Sequence, residues 1–407
     1  MNFRIPRVSF HKALLISALY ISQSVPVSFI KTGFQTYLKN QDIDSDGISG
    51  LLGLMLLPWA LKFLWAPLID RYGSSRYGHR KSWLIPLQLG GALVLGLIAF
   101  MDIESQLSQI VVLFLFYSFL CATQDIAVDG LAVIALSKKQ HGLGNSMQMG
   151  GYYLGELLGG AVILIVLDQF GWTISILTLA LLYLIPLIVL LPYKESRSPA
   201  SSAQSFYGME EIKSYFKGEQ VIWILLLVLY MGNQVLARTL LPSLLKERSF
   251  SDTEVGFTIG VFGNSASIVG AMVGGFLMEY LGRKRSLLVY GLIKIPIFFL
   301  LLMVPMLQIS DVLVIGGIML NDLMAGCAAV ALFTVMMDKS RLSSPGTDFT
   351  IQQSINAIGV VIFVVLSGII QRQFGYPAVV FIASFIGVLS LFLIWKLRME
   401  ETHRDHD

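Results

Sequence analysis

Long apolar segments recur along the whole of this 407-residue chain. An α-helix needs about 20 mostly apolar residues to cross the hydrocarbon core of a bilayer. The apolar runs are continuous and do not alternate with polar residues, which favours helices over the strands of a membrane barrel. They predict an all-α integral membrane protein with about twelve spans of that length. The spans are expected near residues 13–38, 47–69, 83–101, 109–136, 143–167, 172–192, 221–242, 254–281, 286–306, 311–338, 348–371 and 376–397.

The composition agrees with a lipid environment and argues against several other classes of protein. Hydrophobic residues make up 55% of the chain and charged residues only 14%, against about 25% charged residues in an ordinary soluble domain. The formal net charge of +3 comes from basic residues scattered through short loops, so a nucleic-acid partner is not expected. The two cysteines, Cys121 and Cys327, lie in apolar segments, so neither a disulfide framework nor a thiolate metal site is expected.

The basic residues also predict the orientation of the chain. Lys and Arg collect in cytoplasmic loops by the positive-inside rule. Most of the 29 Lys and Arg fall in the termini and in the loops after even-numbered spans, whereas the opposite loops hold Lys39, Lys246, Arg248 and Arg372. Both termini are therefore expected to be cytoplasmic. The start of the chain resembles a secretory signal, but its removal would leave an odd number of spans, so we expect an uncleaved first helix.

The chain divides into two similar halves. Residues 1–192 and 221–398 each hold six predicted spans, residues 193–220 predict a cytoplasmic linker with a short interfacial helix, and residues 399–407 predict a cytoplasmic tail. The loop LIDRYGSSRYGHRKSWL is similar to LMEYLGRKRSLL, and the fourth span, TQDIAVDGLAVIALSKK, is similar to the tenth, LNDLMAGCAAVALFTVMMDKS. This internal repeat predicts two pseudo-symmetric six-helix bundles.

The two similar loops predict a cytoplasmic gate. Each has an acidic residue at a helix end, then glycine and a basic cluster, and charge-assisted hydrogen bonds between such groups can hold two bundles together. The alternative is that these basic residues only set the topology. The gate is expected to include Asp70, Arg71, Arg80, Lys81, Glu279, Arg283, Lys284 and Arg285.

Several charged residues lie inside the predicted spans. A charge near the bilayer centre costs at least about 2.5–3.5 kcal/mol on insertion scales, so it is expected to face a partner or an aqueous cavity. Asp125 and Asp129 are four residues apart and share one helix face, where two like charges can accept and release a proton. The alternative is a structural ion pair between helices, and Lys62 is expected only to snorkel or pack near the cytoplasmic end. The residues for proton coupling and substrate binding are expected to be Asp125, Asp129, Glu156, Arg238, Asp322, Lys31, Lys294 and Gln124.

Motifs for other chemistry are missing from the sequence. There is no GxxxxGK[ST] phosphate loop, so no cofactor is expected and a proton gradient is the expected energy source. There is no HExxH motif, which disfavours a membrane metalloprotease. A membrane enzyme that uses the same carboxylates remains an alternative, although no distinctive nucleophile or acid–base set accompanies them. A receptor that keeps a transporter fold remains another alternative.

Three sequence runs resemble one known family. The run CATQDIAVDGLAV at residues 121–133, with FLWAPLIDR at 63–71 and GHRKSW at 78–83, resembles the AmpG-like branch of the major facilitator superfamily. That branch includes bacterial muropeptide permeases, acetyl-CoA transporters and siderophore importers. The resemblance covers nearly the whole chain and implies two six-helix bundles around a midplane cavity, working by alternating access as a proton symporter.

The same resemblance implies an order of substrates. The chain is shorter than typical muropeptide permeases, and the region of residues 241–288 resembles the siderophore importers. A siderophore or similar polar metabolite is therefore expected first, a muropeptide second and an acyl-CoA third. The resemblance also implies import across the bacterial inner membrane. The expected partners are a small-molecule substrate and the lipid bilayer, and the expected state is a monomer.

Overall fold

Twelve membrane-spanning helices account for most of the structure, a computed structural model that describes residues 8–40, 45–74, 76–195, 219–302, 304 and 309–398. Eight helical stretches of this part are long and apolar enough to cross a membrane. Two of them are 53 and 52 residues long, more than twice the length of about 20 residues that one span needs. Each is interrupted by a glycine with a positive φ, Gly171 (77°) or Gly375 (75°), so each contains two spans, and the eight stretches hold ten. The other two helices are the stretch from Ser45 to Arg71, which is interrupted at Lys62–Leu64, and Arg283–Leu302, which begins with three basic residues.

The helices of the first half match the predicted spans within a few residues at most ends. The fourth helix begins earlier than predicted because the Asp102 side chain caps it, accepting the Ser105 N–H at 3.2 Å. The helices are α1 (Phe10–Ser28, continued by Phe29–Phe34 and Gln35–Asn40), α2 (Ser45–Leu61, Lys62–Leu64 and Ala66–Arg71), α3 (Lys81–Ala99), α4 (Ile103–Ala135), α5 (His141–Leu157, Leu158–Val162 and the part of Ile163–Leu184 before Gly171) and α6 (the rest of that helix and Leu187–Leu190).

The second half repeats this order of helices. The predicted interfacial helix and the predicted tail lie outside the described residues, so both stay predictions. The helices are α7 (Glu219–Leu229 and Gly232–Glu247), α8 (Asp252–Gly256, Phe257–Gly263 and Asn264–Leu281), α9 (Arg283–Leu302), α10 (Asp311–Lys339), and α11 and α12 (Pro345–Lys396, divided at Gly375).

Several spans change their helical pitch within the membrane. The segments Phe29–Phe34 of α1, Leu158–Val162 of α5 and Phe257–Gly263 of α8 are π-helical, and Lys62–Leu64 of α2 is a 3₁₀ turn. Such segments are rare inside long helices and often mark functional positions. Two of them carry an intramembrane lysine, because Lys31 lies in the α1 segment and Lys62 begins the α2 turn.

The halves pack through a few helix pairs. The α5 helix packs against α8, and both α2 and α4 pack against α11. Large apolar side chains such as Leu93, Ile188 and Phe381 are 65–75% exposed, which suits a surface that faces lipid. The loops after α2, α4, α8 and α10 lie together at one end of the molecule, which we call the basic-loop end.

Candidate functional site

A latch at the basic-loop end joins α2 to α11. The Asp70 carboxylate, 6% exposed, pairs with the guanidinium of Arg80. It also accepts the N–H of Gly346 at 3.2 Å, the N–H of Thr347 at 2.6 Å and the Thr347 hydroxyl at 2.5 Å. These N–H groups belong to the first turn of α11, where the helix dipole favours an anion. Asp70 therefore binds a residue of its own half and the helix start of the other half.

The same loop is tied to the end of α6. Glu195 accepts the backbone N–H of Arg80 and of Lys81, both at 3.0 Å. The Lys81 ammonium donates to the backbone carbonyls of Leu191 and Tyr193. Burial and the nearby Arg80 charge lower the pKa of His79, whose Nε2 lies 3.0 Å from the Ile69 carbonyl. This loop is therefore held rigidly around Asp70.

A second latch at this end joins α10 to the start of α5. The Asp338 carboxylate accepts from Arg283 Nε at 2.9 Å and lies 2.7 Å from His141 Nδ1. Arg283 also donates to the carbonyl of Lys138 at 2.6 Å, whereas Glu279 lies 4.0 Å from Arg283. Asp338, which the sequence analysis did not include in the gate, therefore makes the shorter ion pairs at this latch.

The remaining predicted gate residues have different positions. The Lys284 ammonium donates to the carbonyls of Trp395 and Leu397, each at 2.9 Å, as Lys81 does at the end of α6. Arg71 and Arg285 are exposed, and the Arg71 guanidinium lies 5.4 Å from the Tyr72 ring centre. The predicted gate residues thus lie at one end, but only some of them join the halves.

A buried charge centre is formed by side chains of α1, α2 and α4. The ammonium of Lys62, which is 3% exposed, pairs with Asp125 and lies 4.0 Å from Asp129 Oδ2. Gln23 of α1 donates to Asp125 Oδ1 at 2.6 Å, and the Tyr20 hydroxyl donates to Asp129 Oδ1 at 2.6 Å. We call these five residues the Lys62 centre. The Lys62 centre brings the two predicted carboxylates, Asp125 and Asp129, together with a lysine that was expected only to snorkel or pack near the cytoplasmic end.

The Lys62 centre holds more acid than base. Its two carboxylates face a single ammonium, so one negative charge is uncompensated when both are ionised. Gln148 donates to Asp129 Oδ1 at 3.2 Å, but Asp129 Oδ2 is buried and has no hydrogen-bond partner among the described residues. An unpaired buried charge is costly. A proton on one carboxylate would neutralise the centre.

A related centre lies in the second half. Asp322 of α10 is fully buried and lies 3.7 Å from the guanidinium of Arg238 on α7. Gln234 donates to Asp322 Oδ1 at 3.2 Å, as Gln23 does to Asp125 in the first half. Arg238 also donates to the Asn264 side chain of α8 at 3.0 Å, and one third of its side chain is exposed. This second centre therefore presents a cation at the space between the halves.

A line of polar side chains continues from Arg238 into the first half. Glu156 of α5 interacts electrostatically with Arg238 and accepts the Tyr152 hydroxyl at 2.7 Å. The Lys31 ammonium of α1 lies 5.8 Å from the centre of the Tyr152 ring. We call Lys31, Tyr152, Glu156, Arg238 and Asp322 the polar line. It crosses from one half to the other and places a partly exposed cation on each side.

Two predicted site residues lie inside the bundles instead. Gln124 is fully buried, accepts the Tyr183 hydroxyl at 2.7 Å and donates to Gln23 at 3.5 Å, so it supports the Lys62 centre from behind. Lys294 is 2% exposed, and its ammonium lies 5.8 Å from the Tyr230 ring centre. No metal-binding group of three His, Cys, Asp or Glu residues occurs within the described ranges.

Sequence reasoning missed several groups of this site. Lys62 was the clearest missed signal, since a lysine inside an apolar segment needs a partner. Tyr20 and Gln23 on α1 carry no local motif. Thr347 and Asp338 become recognisable only when α11 and α10 are packed against the first half.

Comparisons with known proteins agree with this architecture. The family model described as Major Facilitator Superfamily matches residues 13–349 and 222–407. An anhydromuropeptide permease of Escherichia coli K12 is 26% identical over 406 residues, covering 96% of this chain and 81% of the relative. A putative transporter AmpG 4 of Rickettsia conorii is 24% identical over 396 residues, covering 94% and 95%. An uncharacterized protein of Haemophilus influenzae is 26% identical and covers 96% of both chains.

Solved structures show the same fold at low sequence identity. A variant of the E. coli fucose:proton symporter FucP has a TM-score of 0.74 and 12% identity, covering 97% of this chain and 100% of the symporter. A bacterial homologue of the iron transporter ferroportin, in an outward-facing state, has a TM-score of 0.74 and 13% identity, covering 96% and 99%. The predicted all-α membrane fold and the AmpG-like resemblance are confirmed, and the chain belongs to the Major Facilitator Superfamily of membrane transporters.

Proposed function

We propose that this transporter imports a carboxylate-bearing polar metabolite with protons across a bacterial cytoplasmic membrane. The observation that carries the proposal is the polar line, in which Lys31 and Arg238 present one cation from each half. One cation from each half would suit an anionic or zwitterionic ligand bound between the halves. A single chain holds the complete polar line, so we propose a monomeric transport unit. We also propose that the protein has no catalytic activity.

The two latches support an outward-facing arrangement. Asp70 joins α2 to α11, and Asp338 joins α10 to the start of α5, both at the basic-loop end. We propose that this end and both termini are cytoplasmic because it carries most of the basic loops. The polar line would then be reached from the opposite side of the membrane.

We propose the Lys62 centre as the site of proton coupling. Asp125 and Asp129 share one ammonium, and Asp129 Oδ2 has no hydrogen-bond donor in the described part of the chain. A proton taken up from the outer side would neutralise this centre, and a proton released on the cytoplasmic side would restore its charge. This assignment leaves the polar line free for the ligand.

Two ligand classes fit the proposed function. Muropeptides carry peptide carboxylates, and a relative that covers 96% of this chain is named an anhydromuropeptide permease. Many siderophores also carry carboxylates, and the resemblance of residues 241–288 to siderophore importers favours that class. Both have the charge that Lys31 and Arg238 would bind.

Uptake into proteoliposomes tests the proposal. Purified protein is supplied with anhydromuropeptides, ferric and iron-free carboxylate siderophores, or acetyl-CoA, with and without a proton gradient. We expect gradient-dependent accumulation of one class and its loss after addition of a protonophore. Equal accumulation without a gradient would refute proton coupling, and failure of every class to bind or move would refute the proposed ligand chemistry.

A further inference from the structure

Lys62 has a partner outside the half that carries its carboxylates. Besides Asp125, its ammonium donates to Oε1 of Gln353 on α11, at 2.5 Å. The Lys62 side chain is 4% exposed, so water competes little for this bond. One ammonium therefore connects the two carboxylates of the first half with a helix of the second half.

The position of Lys62 within α2 lets this bond act on the segment of the helix that follows it. The α2 helix is interrupted by the 3₁₀ turn that Lys62 begins, and the short helix after the turn ends in Asp70 and Arg71. Asp70 binds the first turn of α11 at Gly346 and Thr347, and Gln353 lies further along the same helix. The segment of residues 62–71 is thus fastened to α11 at both of its ends.

We propose that the Lys62–Gln353 bond couples protonation of Asp125 and Asp129 to opening of the basic-loop end. This inference rests on the proposed function. When both carboxylates are ionised, they hold the ammonium where it reaches Gln353, and the segment of residues 62–71 stays against α11. A proton on either carboxylate removes part of this attraction, so the ammonium leaves Gln353 and the segment is released. The proton returns to water on the other side, and only hydrogen bonds change.

The groups that face the two carboxylates from the neighbouring helices are mostly uncharged. Tyr20 of α1 faces Asp129, and Cys121 lies one helical turn before Asp125 on α4. A phenol and a thiol are protonated at neutral pH in their ordinary state. The other neighbours are the amides of Gln23 on α1 and Gln148 on α5, and the Trp59 ring, 5.5 Å from the ammonium. Asp70 lies at the far end of the segment, paired with Arg80. Asp348 in the first turn of α11 pairs with Arg341, and His141 at the start of α5 lies against Asp338 of α10.

The distance between the halves at the basic-loop end can be measured directly. Tyr77 in the loop after α2 is 65% exposed, and Leu342 in the loop after α10 is 55% exposed. Cysteines replace these two residues and carry spin labels, while Cys121 and Cys327 are buried. Double electron–electron resonance on the full chain in nanodiscs, between pH 8 and pH 5, then reports how often this end is open.

Four proteins are compared in this measurement. With the otherwise unchanged chain, we expect the short distance at pH 8 and a growing long-distance population as the pH falls. Gln353→Met should raise the ratio of long to short populations at pH 8 by about tenfold, the effect expected for losing a hydrogen bond to a charged group, and should flatten the pH profile. Gln353→Glu keeps an acceptor for Lys62 and should hold the short distance at both pH values. Gln373→Met, on an exposed side chain near the other end of α11, serves as the matched control.

The distance distributions of these variants separate failure of the Lys62–Gln353 link from failure of proton coupling. A normal pH profile in Gln353→Met would refute the Lys62–Gln353 link and leave the proposed transport function intact. A chain with unchanged Gln353 that shows no response to pH would refute proton coupling itself, and with it this inference. A flattened profile in Gln373→Met would also overturn the inference, because the effect would not be specific to Gln353.

Discussion

Lys62 and Lys294 show how much of the role of a residue can be inferred from the sequence when its contacts are unknown. Lys62 and Lys294 both lie in apolar segments, and both are almost fully buried in the structure. Lys62 faces two carboxylates and Gln353, whereas Lys294 lies against the Tyr230 ring. The sequence analysis placed Lys294 among the site residues but expected Lys62 only to snorkel or pack near the cytoplasmic end. It could not identify the partners, because Asp125 is 63 positions from Lys62 and Gln353 is 291 positions away.

The two lysines should respond differently to loss of charge. Lys62→Met leaves two buried carboxylates without a cation, and removing one partner of a buried pair typically costs about 3–5 kcal/mol. Lys294→Met removes a buried ammonium that has no carboxylate partner in the described ranges, so it should leave the melting temperature unchanged or raise it. Thermal unfolding in detergent at pH 8 compares the two variants. Equal destabilisation by both would contradict this assignment of partners.

The polar line makes a separate prediction about ligand affinity. Arg238→Gln should weaken binding of a carboxylate ligand about tenfold to a hundredfold, since a hydrogen bond to a charged group is worth about 1.5–3 kcal/mol. Titration calorimetry with the transported ligand measures this change. Arg372→Gln is the control, because Arg372 is exposed and bonds to the carbonyl of Gly368 in its own helix. Unchanged affinity in Arg238→Gln would remove Arg238 from the binding site.

Helices were the part of the fold that the sequence predicted best. Apolar runs of span length located all twelve, because a membrane requires continuous helices of nearly fixed length. The interruptions inside them were not predicted, since a π-helical or 3₁₀ turn depends on contacts with neighbouring helices. One such contact is at Gly159 in the π-helical segment of α5, where an added Cβ atom would overlap the Val25 carbonyl of α1. Regular helical segments also pack closely, as α8 and α10 do with Gly270 against the backbone of Leu323 and Gly274 against Cys327.

Glycine substitutions test this helix packing. A Cβ atom at Gly270 would overlap the Leu323 carbonyl, whereas a Cβ atom at Gly260 of the same helix would meet nothing within 4 Å. Gly270→Ala should therefore force α8 and α10 apart and lower the melting temperature by several degrees, while Gly260→Ala should leave it nearly unchanged. Thermal unfolding of the two variants measures the difference. A similar loss in both would mean that α8 and α10 are not in direct backbone contact.

The two halves of the molecule have similar loops at the basic-loop end, but the ion pairs of these loops differ. The internal repeat predicted two similar loops at one end, and Lys81 and Lys284 do play matching roles at the ends of α6 and α12. The latches themselves differ, because Asp70 binds the start of α11 whereas Asp338 pairs with Arg283 and His141. A repeat in the sequence predicts which positions of the two halves are equivalent. Packing between the halves determines which acidic residue of each half forms an ion pair or hydrogen bond there.

Loss of the first latch should change the balance between conformations. Asp70→Asn removes the charge that binds both Arg80 and the start of α11, so the basic-loop end should open more often at pH 8. The spin-labelled pair at positions 77 and 342 should then show a larger long-distance population. Asp102→Asn, which alters a helix cap at the start of α4, should not change that population. An unaltered distance distribution in Asp70→Asn would show that this latch does not hold the end closed.

Proton movement during ligand uptake tests the proposed mechanism most directly. Proteoliposomes containing a pH-sensitive dye receive the transported ligand from outside, with no proton gradient imposed at the start. We predict that the unchanged protein acidifies the lumen as the ligand enters, and that Asp129→Asn binds the ligand but moves no protons with it. Ligand entry with no change in lumenal pH, or the same acidification with Asp129→Asn, would contradict proton coupling at the Lys62 centre.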